Sequence, residues 1–222
     1  MLPPKTVFLF DIDNTLLDND RVTRDIADKL RRVCGPETCR RYWELFEEIR
    51  AKTGYADYLA ALQAYRLEDQ HDPRLLTLSL FLTDYPFANR LFPGALDAIE
   101  FANAKGQAVI LSDGDAVFQP RKAFRAGLFE AVDDRVLIYI HKENELEQVE
   151  KAYPADHYVM VDDKLRILAS MKSIWGDRLT TVFAKQGHYA LEPGVEDKFP
   201  APDLKIDRIA DLPRLPLENL LP

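Results

Sequence analysis

Five short stretches set the pattern of this chain: residues 7–10, 108–111, 136–140, 158–161 and 180–183. In each, apolar or β-branched side chains fall on consecutive positions. A strand with one wet face would alternate apolar and polar residues; a strand covered on both faces need not. The stretches therefore predict strands of a buried, parallel sheet. Helical patterns separate the last four. Residues 95–105 carry Leu96, Ile99 and Ala102 at helical spacing, with Gly106 as a C-terminal cap. Asn144, with Glu147 three residues on, predicts a helix start of the capping-box type. Residues 165–175 form a third helical pattern, closed by Gly176. Strands alternating with helices at this spacing predict an α/β fold with helices on both faces of the sheet.

Residues 18–90 follow another rule and hold no strand-like run. Ile26, Leu30 and Val33 keep helical spacing, as do Tyr58, Leu59, Leu62 and Tyr65; Trp43, Leu45, Phe46 and Ile49 mark a further helix. Gly54 and Pro73 punctuate the series, and Pro86 and Pro93-Gly94 bracket its end. This predicts a helical insert after the first strand: residues 1–17 and 91–222 form the α/β core, and 18–90 a separate helical domain. Pro193, Pro200, Pro202, Pro213, Pro216 and Pro222 make the C-terminal stretch an irregular strap, with a short strand near Leu204-Lys205-Ile206.

Composition narrows the class. The 222 residues are 47% hydrophobic and 30% charged, an ordinary globular balance rather than a disordered or fibrous one. A formal net charge of −8 argues against a nucleic-acid or anionic-membrane partner, since both select clustered Lys and Arg. No apolar run approaches the roughly 20 residues of a spanning helix. Residues 1–5 run straight into the first strand without the layout of a leader. Cys34 and Cys39 lie in a polar segment without a metal-ligand pattern and are read as free thiols of a cytoplasmic protein.

Four of the strand-like stretches stop at polar residues: Asp11-Ile12-Asp13, Ser112-Asp113, His141-Lys142 and Asp162-Asp163. In open α/β sheets the ligand crevice lies at the carboxyl ends of the strands, so these residues are expected to converge. Several carboxylates packed together repel one another. A hard divalent cation resolves this, and Mg²⁺ favours a few carboxylates together with water and substrate phosphate. Lys142 is then a second positive charge for a phosphoryl group, and Ser112 a hydroxyl donor. The four histidines, 71, 141, 157 and 188, are scattered and make no triad, and no glycine-rich nucleotide loop is present.

Phe10-Asp11-Ile12-Asp13-Asn14-Thr15-Leu16 resembles the first motif of the haloacid dehalogenase (HAD) superfamily, an apolar strand followed by D-x-D-x-T. Leu111-Ser112-Asp113-Gly114, Lys142 and Val161-Asp162-Asp163 follow in the family's order as second, third and fourth motifs. The resemblance spans residues 7 to about 185. It implies a Rossmann-like HAD core with a helical cap inserted after the first motif. It further implies a Mg²⁺-dependent phosphatase acting on a small phosphorylated metabolite. Asp11 would be the nucleophile, forming an aspartyl-phosphate. Asp13 would be the general acid and base. Ser112 and Lys142 would hold the phosphoryl oxygens. The metal would sit on the Asp11 carboxylate, the Asp13 main-chain carbonyl and Asp163, with Asp162 helping directly or through water.

Other readings compete. Dehalogenation of a 2-haloacid uses the same nucleophile, but dehalogenating members need no metal and lack the second aspartate of the first motif. Phosphonate cleavage needs a Schiff-base lysine that nothing singles out. A signalling receiver carries its acidic pair first, whereas here it comes last. A catalytically inactive binding protein would not need the full motif set. Among the remaining polar residues, Asp113 and Asp115 are read as surface or capping residues, and Lys164 and Arg166 as the solvated face of a helix. His188 and Tyr189 lie on a loop after the fifth strand. Tyr42, Trp43, Tyr55, Tyr58 and Tyr65 are read as packing within the insert.

Overall fold

The computed structural model describes residues 6–216; the readings of residues 1–5 and of Pro222 fall outside them. All five predicted strands form, and so does the short sixth. They are β1 (Thr6–Phe10), β2 (Gln107–Asp113), β3 (Val136–Tyr139), β4 (His157–Asp162), β5 (Leu179–Ala184) and β6 (Leu204–Ile206). They make one six-stranded sheet in the order β3-β2-β1-β4-β5-β6. Every neighbouring pair is parallel. The chain winds outward from β1 to β3, then returns to β1's other side at β4. That reversal between β1 and β4 is where an open α/β sheet leaves a crevice at its carboxyl edge.

The consecutive apolar runs are explained by two covers. Phe8 and Phe10 join Ala108, Ile110, Val159 and Val161 in one core layer. Val7 and Leu9 join Val109, Leu111, Tyr158 and Met160 in the other. Successive residues point to opposite faces, and both faces are dry.

Between β1 and β2 lie α1 (Asn19–Cys34), α2 (Pro36–Thr53), α3 (Tyr58–Glu68) and α4 (Arg74–Thr83). Val22, Ile26 and Leu30 bury one stripe of α1. Asp18 caps α1 by accepting from the Arg21 N–H, and Asp57 caps α3 by accepting from Ala60. The connections into and out of these helices run side by side. Leu17 and Leu91 form an antiparallel bridge, the Asp18 N–H donates to the Arg90 carbonyl at 2.8 Å, and the Phe92 N–H donates to the Leu16 carbonyl at 2.9 Å.

After the insert come α5 (Ala95–Lys105), α6 (Phe118–Arg125), α7 (Leu128–Ala131), α8 (Leu146–Ala152), α9 (Leu165–Trp175) and α10 (Gly187–Ala190). The helix expected to start at Asn144 starts two residues later. Residues Lys142–Asn144 form a 3-10 turn, in which the Asn144 N–H donates to the His141 carbonyl, and no side chain caps α8. The chain turns tightly there because the Lys142 N–H is fastened to Asp113 Oδ1 at 2.8 Å. Cys34 and Cys39 are free and buried. Among the described residues no helix is long and apolar enough to cross a membrane.

Candidate active site

Register brings the motif residues to one edge. Phe10 pairs with Ile110 on one side and Val161 on the other, so Asp11 emerges beside Leu111-Ser112 and Asp162. Asp11 is buried, with its N–H held by the Val161 carbonyl at 3.0 Å. Its Oδ1 accepts from Lys142 Nζ at 2.6 Å and from Ser112 Oγ at 3.2 Å. Lys142 also donates to the Leu111 carbonyl at 3.1 Å and lies 2.7 Å from Asp162 Oδ2. A fully buried ammonium thus bridges two carboxylates from adjacent strands.

One ammonium does not satisfy this cluster. Asp11 Oδ2 and both oxygens of Asp163 are buried and accept no hydrogen bond. Oxygens from Asp11, Asp162 and Asp163 lie within 4.8 Å of one another. Burial pushes the Asp163 carboxyl well above the usual carboxylate range. Burial also raises Asp162, to about 6, against the opposing pull of Lys142. Asp11 goes the other way. Burial would raise it, but the charges of Lys142 and Lys164 and the hydrogen bonds from Lys142 and Ser112 hold it below the ordinary value. Unpartnered, desolvated carboxylate oxygens of this kind fit a hard divalent cation.

Asp13 is placed differently. Its carboxylate is absent from the three-carboxylate group and is gripped by Lys122, whose Nζ lies 2.6 Å from Oδ1 and 2.9 Å from Oδ2. Gln119 Nε2 donates to Ser112 Oγ at 3.1 Å and reaches Asp13 Oδ2 at 3.4 Å. Gln119 can come this close because residue 114 is glycine: a Cβ there would lie 2.6 Å from the Gln119 Cβ. Asp113 positions Lys142 through its backbone, and Asp115 Oδ1 caps α6 by accepting from the Val117 and Phe118 N–H groups.

The reading of Lys164 as a solvated residue is corrected. Its ammonium lies 5.1 Å from the centre of the Tyr189 ring. Burial works against its charge, yet Asp11, Asp163 and Asp162 raise its pKa. Arg166 is more than half exposed and pairs with the buried Glu143. Lys164 is read from the sequence, with Arg166, as a solvated helix face, and Gln119 and Lys122 carry no motif, lying in the polar stretch Gln119-Pro120-Arg121-Lys122. Only the fold shows which polar residues turn inward.

A cavity of about 580 Å³ lies between this edge and the insert; Asp13, Gln119 and Lys164 line one side, Trp43, Arg50 and Tyr55 the other. Tyr42 and Tyr58 are buried as expected, but Trp43, Tyr55 and Tyr58 also border the cavity. Across it the Arg50 guanidinium donates to the Tyr189 hydroxyl, and His188 Nδ1 lies 2.6 Å from Asp20 Oδ1.

Residues 5–174 match the haloacid dehalogenase-like hydrolase family. The chain belongs to that family. A proposed haloacid dehalogenase-like hydrolase from Burkholderia xenovorans is 58% identical, covering 99% of this chain and 100% of its own, with a TM-score of 0.93. The L-2-haloacid dehalogenase of Xanthobacter autotrophicus is 21% identical over 97% of this chain and 98% of its own, with a TM-score of 0.60. The proposed HAD-hydrolase YfnB of Bacillus subtilis, solved bound to magnesium, is 15% identical over 97% of this chain and 98% of its own, also at 0.60. The last two share the fold. No curated protein sequence matches the chain significantly.

Proposed function

We propose that this hydrolase is a Mg²⁺-dependent phosphatase of a small phosphorylated metabolite, with the helices of residues 18–90 as its cap. The observation that supports this most is the set of buried oxygens on Asp11 and Asp163 that accept no hydrogen bond. A phosphate dianion approaching the Asp11 carboxylate needs positive charge beyond that of Lys142. A carbon–halogen bond does not, so dehalogenation leaves this feature without a use.

Asp11, Asp162 and Asp163 would hold the metal, with the Asp13 main-chain carbonyl. Bound there, it would offset the charge of nucleophile and phosphoryl group. Asp11 attacks phosphorus through one of its carboxylate oxygens. The ester oxygen leaves with a proton from Asp13, and an aspartyl-phosphate remains. Water then attacks that phosphorus, losing its proton to Asp13 and releasing phosphate and free Asp11. Lys142 and Ser112 donate to the phosphoryl oxygens as charge builds there. The cap excludes bulk water from the aspartyl-phosphate.

The deciding assay compares p-nitrophenyl phosphate with 2-haloacids, each with Mg²⁺ and with a chelator. Ester hydrolysis that requires Mg²⁺ is the expected result. Halide release without ester hydrolysis would overturn the reading.

A further inference from the structure

Lys122 is a buried charge outside the four motifs. Its side chain is 1% exposed, against 25% for that of Asp13. An ammonium has three protons to donate. Here they meet three acceptor atoms: Asp13 Oδ1 at 2.6 Å, Asp13 Oδ2 at 2.9 Å and Asn19 Oδ1 at 3.1 Å. Nζ also sits 5.5 Å from the centre of the Phe118 ring, which packs on Tyr58 and Phe87. A buried ion pair contributes little net stability compared with apolar residues of the same volume, so the core itself does not call for a lysine here.

We infer that Lys122 is a positioning residue for Asp13, holding both carboxylate oxygens so that the proton-transferring edge faces the cavity. This rests on the phosphatase reading above. The carboxylate is reached from a single backbone position and would otherwise sample several rotamers. The two-oxygen grip from α6 fixes its plane, and Gln119, one turn earlier, reaches one of those oxygens, Oδ2, at 3.4 Å. The third acceptor, Asn19, is the first residue of α1. Lys122 therefore joins the acid–base carboxylate to the entry of the insert, and the Asp13 orientation depends on where that entry sits.

The test uses the whole enzyme at saturating Mg²⁺, so that altered metal affinity is not read as altered chemistry. Hydrolysis of an alkyl phosphate, whose leaving group needs a proton, is compared with that of p-nitrophenyl phosphate, whose leaving group barely does. Lys122→Met should lower kcat on the alkyl ester by about 10- to 100-fold, a part of the roughly 10²- to 10⁴-fold that acid–base catalysis supplies, and on the aryl ester by less than about threefold. Asn19→Ala keeps the lysine and the fold, and should show a smaller split of a few-fold in the same direction. It carries the test should Lys122→Met fail to fold. Equal losses on both esters, or none, in either variant would overturn the inference, because a purely structural role does not distinguish leaving groups. Asp13→Asn is run beside them. If it splits the esters and the Lys122 and Asn19 variants do not, the positioning role alone falls. If Asp13→Asn does not split them, the role of Asp13 falls too, and Lys122 has nothing to position.

Discussion

Gly54 of the insert stands against the ring of His141, so closely that a Cβ at residue 54 would lie 2.8 Å from ring atoms Cε1 and Nε2. Gly54 ends α2 in the left-handed region, at φ +83°, and His141 immediately precedes Lys142. The insert thus touches the core beside the residue that bridges Asp11 and Asp162.

Gly54→Ala should therefore act twice. A left-handed φ costs a side chain roughly 1–2 kcal/mol, so Tm should fall by about 2–8 °C for a chain of this size. The added methyl must also push the insert or the ring aside. KM for phosphate esters should then rise more than kcat falls. Thermal melts and steady-state kinetics check both, and an unchanged KM would detach this contact from the cavity.

Asp11→Asn should lower turnover on the order of 10⁴-fold or more, as removal of a covalent nucleophile does elsewhere. Acid-quenched protein should carry no phosphate under conditions where the parent enzyme does. Labelled phosphoenzyme in the variant would assign the nucleophile to another residue.

Asp163→Asn separates stability from metal binding. Both Asp163 oxygens are buried without a hydrogen bond, so removing the carboxyl should raise the Tm of metal-free protein. Mg²⁺ affinity should fall by more than about 100-fold, beyond the usual effect of an outer-shell change. Asp133→Asn, at an exposed carboxylate paired with Arg135, should do neither. Calorimetric titration with Mg²⁺ and melts in chelator are the measurements.

His157 should make the fold acid-sensitive. It is buried against Thr180 Oγ1 at 2.8 Å, and burial, reinforced by Lys172 and Arg178 over the opposing Asp203, holds its pKa below the usual histidine value. The unfolded chain then binds a proton, near pH 6.5, before the folded one does. This contribution is complete above that pH and declines as pH falls towards and through the folded value. His157→Gln should lose less stability than the parent between pH 7.5 and 5.5. Urea midpoints that decline in parallel would remove His157 from the account.

The sheet was legible because strands dry on both faces leave unbroken apolar runs, and the runs stop where the chemistry begins. Asp11, Ser112, Lys142, Asp162 and Asp163 could be anticipated because each sits at or just past such a stop. Lys122 and Gln119 could not. They lie on α6, whose sequence Phe118-Gln119-Pro120-Arg121-Lys122 mixes polar and apolar residues, and it is tertiary packing, Phe118 on Tyr58 and Phe87, that shows which face of α6 turns inward. Asn144 misled for a related reason. Its capping pattern is a local preference, and the fastening of the Lys142 N–H to Asp113 overrode it.

The single bridge between Leu17 and Leu91 carries a consequence for how this chain can be rebuilt. The two ends of the insert are hydrogen-bonded neighbours, so to the sheet the whole excursion counts as a closed loop. Lengthening such a loop costs little, about 0.6 kcal/mol for each doubling. A replacement module needs termini that lie close together and an apolar face to cover Phe118 and its neighbours as Tyr58 does here. The junction is therefore a natural splice point, where a foreign helical unit can be grafted and the sheet with its carboxylate cluster retained.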